Sequence, residues 1–252
     1  MKISCISDLH IRTKNDNAHK CFDAFVNHSK VQQSQEVYLL GDIFDMMVGD
    51  QQQYLDQYDF FFSSLNSLIK KNIKVIYVEG NHDFHLENVF ETFVKNNNIS
   101  EEMFLYSKDE IETVINGQKF IFCHGDIVDS ENKSFQRWKS IYRSTVFRLL
   151  VNKIIPYSFA KRIGNKASSN SKKRNSKSFE YEKSKETYIN GAKKILKDKT
   201  NTILVGGHTH IIEDININKC QYINNGFPIR DQKFIHIENN SAKLISLKVS
   251  SE

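Results

Sequence analysis

Val75-Ile76-Tyr77-Val78-Glu79-Gly80-Asn81-His82-Asp83 runs from four apolar residues, three of them β-branched, through a glycine into side chains that bind cations or protons. A short apolar run of this kind, bounded by a turn signal, reads as a buried strand. The glycine lets the backbone turn sharply at the sheet edge and aims the next side chains into the crevice beyond it. The same grammar recurs four times. Ile3 to Ile6 meets Asp8 and His10, Val37 to Leu40 meets Gly41-Asp42, Phe120 to Cys123 meets His124-Gly125-Asp126, and Ile203 to Val205 meets Gly206-Gly207-His208-Thr209-His210. Five such ends on one sheet converge on one place. Strands near 2–7, 36–40, 73–78, 103–106, 111–115 and 119–123 alternate with helical stretches near 17–30, 52–71 and 86–97, which predicts an α/β fold. Asn116-Gly117 marks a hairpin turn. Short runs at 211–217, 220–224, 232–238 and 243–249, broken by Asn224-Asn225-Gly226 and Asn239-Asn240, predict an antiparallel finish. At 252 residues the chain is long enough for a proper core, and the pattern fits one layered domain over 1–252.

The convergent set is Asp8, His10, Asp42, Asn81, His124, His208 and His210, oxygen and nitrogen donors with no thiolate among them. Seven donors are too many for one tetrahedral ion and suit two ions sharing a bridge. Asp42, alone on its turn, is the natural bridge, because a carboxylate can span metals about 3.5–4 Å apart. His208 and His210, two apart on extended chain, point the same way and can serve different ions. Mixed imidazole and carboxylate donors favour manganese, iron or zinc, and manganese is the expected cofactor, as two divalent ions. Each motif alone has a plainer explanation. Asp-x-His, Gly-Asn-His-Asp and Gly-His-Thr-His are all common turn chemistry. All five at strand ends are hard to explain as turns. His19, His28, His85 and His236 lack that context and read as surface or satisfied interior residues.

Cys5, Cys21, Cys123 and Cys220 show no C-x-x-C spacing and read as reduced core filler in a cytoplasmic protein. The proposed ligand Asp8 leaves no room for a signal peptide before it, and no apolar stretch approaches the roughly 20 residues that span a bilayer.

The ordered motifs Asp8-Leu9-His10, Gly41-Asp42, Gly80-Asn81-His82-Asp83, His124-Gly125-Asp126 and Gly207-His208-Thr209-His210 resemble those of the calcineurin-like metallophosphoesterases. The resemblance implies an αββα sandwich whose dinuclear centre activates a hydroxide to attack phosphorus. It assigns Asp8, His10, Asp42 and His210 to one ion, and Asp42, Asn81, His124 and His208 to the other. His82, oriented by Asp83, is the candidate catalytic residue at the leaving oxygen, and Asp83 its catalytic partner. Asp126 is a candidate support for His124 or a cap of the following helix.

From Asn132 through Phe179 there are thirteen Lys or Arg residues and no Asp or Glu, although the whole chain carries only +5. Phe135, Trp138, Tyr142, Val146 and Leu149 recur in this segment at three- and four-residue spacing, an amphipathic helix with a basic opposite face. A helical insertion packed on the core and a nucleic-acid surface are alternatives, but nucleic acid calls for aromatics interleaved with the charges. The favoured reading is a helical cap over 131–198 that meets an anionic membrane through 132–179 and holds an acylated substrate.

Pro156-Tyr157-Ser158-Phe159-Ala160-Lys161-Arg162-Ile163 and Asn170-Ser171-Lys172-Lys173-Arg174-Asn175-Ser176-Lys177-Ser178 resemble the cap of one branch of the family, the UDP-2,3-diacylglucosamine pyrophosphatases of lipid A synthesis. That resemblance implies cleavage of an acylated UDP-sugar to UMP and 2,3-diacylglucosamine 1-phosphate, peripherally on the cytoplasmic face of the inner membrane. It implies substrate contacts from Asn81, His82 and His208, with Ser171 and Lys177 from the cap. No obligate protein partner is expected. The chain departs from the branch at His82, where the branch usually has arginine. An imidazole can protonate an alkoxide, which keeps a phosphomonoesterase or phosphodiesterase acting on soluble nucleotides or phosphoproteins as one alternative. A non-catalytic scaffold of the same fold is the other.

Overall fold

The computed structural model of the protein describes residues 1–153 and 181–249. In chain order its strands are β1 (Lys2–Ile6), β2 (Glu36–Leu40), β3 (Met47–Val48), β4 (Lys74–Val78), β5 (Asp83–Phe84), β6 (Phe104–Ser107) and β7 (Ile111–Ile115). They continue as β8 (Gln118–Phe122), β9 (Thr202–Gly206), β10 (Ile212–Ile217), β11 (Cys220–Asn225), β12 (Lys233–Glu238) and β13 (Ser241–Ser246). One sheet has the order β13-β12-β1-β2-β4-β6 and a second the order β10-β11-β9-β8-β7, with β3 and β5 as a separate pair.

Two sheets are what alternation dictates. Along β2 and β4, Val37, Leu39, Val75 and Tyr77 pack under the outer helices, while Tyr38, Leu40, Ile76 and Val78 face the other sheet. Along β8 and β9, Phe120, Phe122, Ile203 and Val205 meet them in the middle, and Ile121 and Leu204 face outward. Strands apolar on both faces need cover on both faces. Helices Asn17–Val26, Asp59–Lys70 and Glu87–Asn96 supply it on one side. Helix Tyr181–Leu196 supplies it on the other, burying Ala192 and Leu196 against Ile121, Leu204 and Tyr222. The outer layers complete an αββα sandwich.

Several expectations need correction. The five ligand-bearing ends come from two sheets rather than one, β1, β2 and β4 from the first and β8 and β9 from the second. The antiparallel finish is present as two hairpins, β10–β11 and β12–β13, but they lie in different sheets. The β10–β11 hairpin joins the second sheet, with β11 parallel to β9, whereas β12 and β13 join the first beside β1. The stretch 52–71 is broken at Tyr58, whose φ of −115° departs from helix; its ring packs 4.4 Å from Phe44, so core packing overrides local propensity. Residues 17–30 likewise divide at His28, which caps a short helix Ser29–Gln32. Asn116 and Gly117 adopt φ of 48° and 80° between β7 and β8, as a two-residue hairpin requires. All four cysteines are free and buried.

The expected cap divides as well. Helix Tyr181–Leu196 belongs to the sandwich. Helices Lys133–Tyr142 and Thr145–Lys153 form a separate layer, docked through Val48, Phe84, Tyr142 and Val151. Asn152 reinforces that contact, accepting from Asp50 N (3.1 Å) and donating to Asp50 Oδ2 (2.6 Å). The rest of the expected cap, with Ser171 and Lys177, lies outside the described residues. Among the described residues no helix is long and apolar enough to cross a membrane.

Candidate metal centre

The five turns are bonded to one another in a chain. Asp8 N donates to Gly41 O (3.1 Å) and His10 N to Asp42 O (3.0 Å), tying the ends of β1 and β2. Gly207 N donates to His124 O (2.7 Å), tying β9 to β8, and His208 N donates to Asp8 Oδ2 (2.9 Å), joining the two sheets. Asp8, His10, Asp42, His208 and His210 all have φ between 52° and 69°. Left-handed backbone in residues with a Cβ costs free energy and is held only where surroundings impose it. At Gly41, φ is +75° and a Cβ would lie 2.6 Å from Gly80 Cα, so only glycine lets those two turns touch.

All seven expected donors meet here. His10 Nε2 and His210 Nε2 are 3.2 Å apart, His210 Nε2 lies 3.3 Å from Asp8 Oδ1, and His10 Nε2 lies 4.0 Å from Asp42 Oδ2. On the other side of Asp42, its Oδ1 is 3.6 Å from His124 Nε2, which is 3.1 Å from Asn81 Oδ1 and 3.2 Å from His208 Nδ1. Donors at about 2.1 Å from one ion stand about 3–4 Å apart. Asp42 therefore has one oxygen toward each group, as a bridge requires.

Two observations show that the pocket suits cations. Asp8 Oδ1 is buried and makes no well-formed hydrogen bond, with only His210 Nε2 facing it at 3.3 Å, a costly state for a carboxylate oxygen. His124 Nδ1 must donate to the Leu40 carbonyl (2.9 Å), so in the neutral ring Nε2 is a lone pair facing other acceptors. Such an arrangement is stable only with a cation or a proton among the lone pairs. Without metal, His124 takes the proton: burial opposes it, but Asp42, Asp8 and Asp126 raise its pKa to about 9. His10 goes the other way, with burial as the leading cause, to about 4. Burial also opposes the charge on Asp42, yet His124, His82 and His10 hold its pKa well below the usual carboxylate range.

His82 stands at the edge of this set, its ring 4.9 Å from that of His10 and its Nε2 4.0 Å from Asp42 Oδ2. Asp83 does not orient it. That fully buried carboxylate instead accepts from Asp42 N, Ile43 N, Phe44 N, Gly80 N and Tyr77 Oη, and so pins the β2 and β4 turns together. His82 Nδ1 donates to the backbone carbonyl of Asp45 (2.7 Å), leaving Nε2 toward the centre. Burial lowers the His82 pKa, but the Asp42 carboxylate and the Asp45 carbonyl raise it to a net increase. Asp126 neither supports His124 directly nor caps a helix; it pairs with Lys139 (2.7 Å), while Asn132 caps Lys133–Tyr142.

Sequence reasoning missed several supports. Asn224 and Asn225, read as a turn, end β11 beside β9, where Asn224 donates to Gly207 O (2.6 Å) and Asn225 accepts from Ser7 Oγ (2.8 Å). Phe227 stacks on His210 with ring centroids 5.0 Å apart. Only the parallel pairing of β11 with β9 brings those residues in, and nothing local signals it. His85 is the interior residue that the sequence allows: it is buried and donates through Nε2 to Tyr142 O (2.6 Å), joining the β5 turn to the cap layer.

The sequence profile of the calcineurin-like phosphoesterases matches residues 1–211 of this chain. A relative from Psychromonas ingrahamii named UDP-2,3-diacylglucosamine hydrolase is 24% identical over 164 residues, which is 65% of this chain and 63% of that protein. A relative of the same name from Wigglesworthia glossinidia brevipalpis is 28% identical over 211 residues, 82% of this chain and 78% of that one. The chain thus spans less than two thirds of the Psychromonas relative. Among solved structures, an archaeal phosphodiesterase covers 98% of this chain and 100% of its own, with a TM-score of 0.46 and 14% identity.

Proposed function

The chain belongs to the calcineurin-like phosphoesterase family, and from that premise we propose that it hydrolyses the pyrophosphate of UDP-2,3-diacylglucosamine, releasing UMP and 2,3-diacylglucosamine 1-phosphate at an anionic membrane surface. The two donor groups sharing Asp42 would hold the ions, manganese by preference. When bound, a pair of divalent ions supplies Lewis acidity and lowers the pKa of water. The chain itself supplies the rest. His208 lines the side toward the cap, where it meets Phe135, Asn81 sits beside His124, and His82 faces the centre through Nε2, its ring fixed by the Asp45 carbonyl. Asp45 is in turn held by Arg12 at 3.0 Å. Placed with Nε2 toward the centre, His82 as an imidazolium would stabilise a departing phosphate.

One observation carries the choice of a lipid substrate. Phe135 packs against His208, ring centroids 4.8 Å apart, and the same helix layer exposes Trp138 (44%), Ile141 (53%), Val146 (68%) and Leu149 (50%). The apolar stripe read in the sequence is therefore not core: only Tyr142 of its five residues is buried. Apolar surface beside basic residues suits acyl chains and a lipid interface. The basic face is thinner than the sequence suggests, since Lys139, Arg143 and Arg148 pair with Asp126, Asp109 and Glu87.

His82 supports a second reading. An imidazole can hand a proton to an alkoxide, so a phosphomonoester or phosphodiester substrate fits the same geometry. Incubating manganese-loaded protein with UDP-2,3-diacylglucosamine in mixed micelles separates the two. UMP release with no turnover of nitrophenyl phosphates supports the first reading, and the reverse supports the second.

A further inference from the structure

His208 has two ring nitrogens with different surroundings. Nδ1 faces His124 Nε2 at 3.2 Å, inside the donor set, whereas Nε2 faces Asp129 Oδ2 at 3.7 Å, outside it. Asp129 is 5% exposed, and among the described residues no lysine or arginine pairs with it. A buried carboxylate with no cationic partner is unfavourable unless it has hydrogen bonds and a task. Asn132 Nδ2 donates to its Oδ2 (3.0 Å), and Gln136 Nε2 donates to its backbone carbonyl (3.0 Å). Both partners, and Phe135 on the face of the His208 ring, belong to the helix Lys133–Tyr142 or its cap.

We propose that Asp129 is a positioning residue for His208, its carboxylate favouring a proton on the facing Nε2 across 3.7 Å so that Nδ1 is committed as the donor toward the second ion, and that the first cap helix holds it in that role. This rests on the metal-centre reading above. A carboxylate behind a ligating imidazole fixes both tautomer and ring orientation, and losing it commonly costs about 10–100-fold in metal affinity. The cap thereby does more than cover a substrate. Through Asn132 and Phe135 it sets the donor atom of a residue on β9's turn.

The decisive variant is Asp129→Asn, which keeps the shape. His208 Nε2 and Asn132 Nδ2 address the same carboxylate oxygen, so the neutral amide can turn toward His208 either a weaker, uncharged acceptor or, with its NH2 in that place, a donor, and either way the preference for a proton on Nε2 is lost. The first readout is made on metal-free protein at alkaline pH, by long-range 1H–15N correlation of histidine side chains assigned with a His208→Gln variant. Wild type is expected to show His208 protonated on Nε2, and Asp129→Asn to shift it toward Nδ1. The second readout is manganese titration followed by electron paramagnetic resonance. Asp129→Asn should weaken one of the two sites at least 10-fold and leave the other within twofold, and Asp129→Glu should restore part of the loss. An unchanged tautomer in Asp129→Asn, or two sites of wild-type affinity, overturns the proposal. If wild type binds fewer than two ions, the metal-centre reading falls, and the tautomer measured without metal still decides for or against Asp129.

Discussion

Metal binding should expel a proton from His124, and the stoichiometry follows from the site. Without metal the ring is a cation at neutral pH, because the surrounding carboxylates raise its pKa to about 9 against the burial that opposes it. His10, at about 4, has no proton to lose. At pH 7.5 the His124 ring is therefore almost fully protonated, and filling the site it shares with Asn81 and His208 should release about one proton. Apparent affinity there should rise about tenfold per pH unit from 6.5 to 9 and then level off. The measurement is calorimetric titration of manganese in buffers of different ionisation enthalpy, repeated across that range. The sign for stability follows the same group. A folded-state pKa raised from 6.5 to about 9 stabilises the metal-free protein fully below 6.5, and that stabilisation, about 3 kcal/mol, is lost as pH rises through 9. Loaded protein has no such proton and should lack the loss. Proton release near zero, with affinity flat across pH 6.5–9, would refute the assignment of His124 as both the proton carrier and a ligand.

Other substitutions probe separate parts of the structure. Asp42→Ala removes the only oxygen donor common to both groups and should cut turnover by about a thousandfold or more, while circular dichroism reports a retained fold. Gly41→Ala must place a Cβ against Gly80 at positive φ, and calorimetry should show Tm lower by about 5–10 °C. Leu149→Ser with Leu150→Ser removes two half-exposed leucines and should weaken sedimentation with anionic vesicles at least tenfold, leaving hydrolysis of a short-chain substrate in place. His82→Arg should keep a fixed positive charge and so retain pyrophosphate cleavage, but abolish any phosphomonoester activity that needs a transferable proton.

Strand ends were the legible part of this chain. An apolar run that stops at Asp, Asn or His, in three of the five turns straight after a glycine, is a local signal, and each of the seven donors so marked lies in the centre. The split into two sheets was not visible in those local runs. It depends on which face of each strand is covered, and Val75 and Ile76 look alike in sequence although they face opposite layers. Roles set by long-range pairing were equally hidden. Asp83 follows the ligand motif directly yet serves as a hub for backbone amides, and Asp129 carries no spacing that would tie it to a histidine on β9's turn. The amphipathic stripe of Phe135 to Leu149 was plain, but only the structure reveals that Tyr142 is buried while Trp138, Val146 and Leu149 stay exposed.

The central claim is that side chains from five strand ends clasp two cations through one shared carboxylate. Anomalous scattering from manganese-soaked crystals tests it most directly. The account predicts two peaks per chain, one among Asp8, His10, Asp42 and His210 and one among Asp42, Asn81, His124 and His208. A single peak, or none in a pocket whose imidazoles have moved apart, would contradict it.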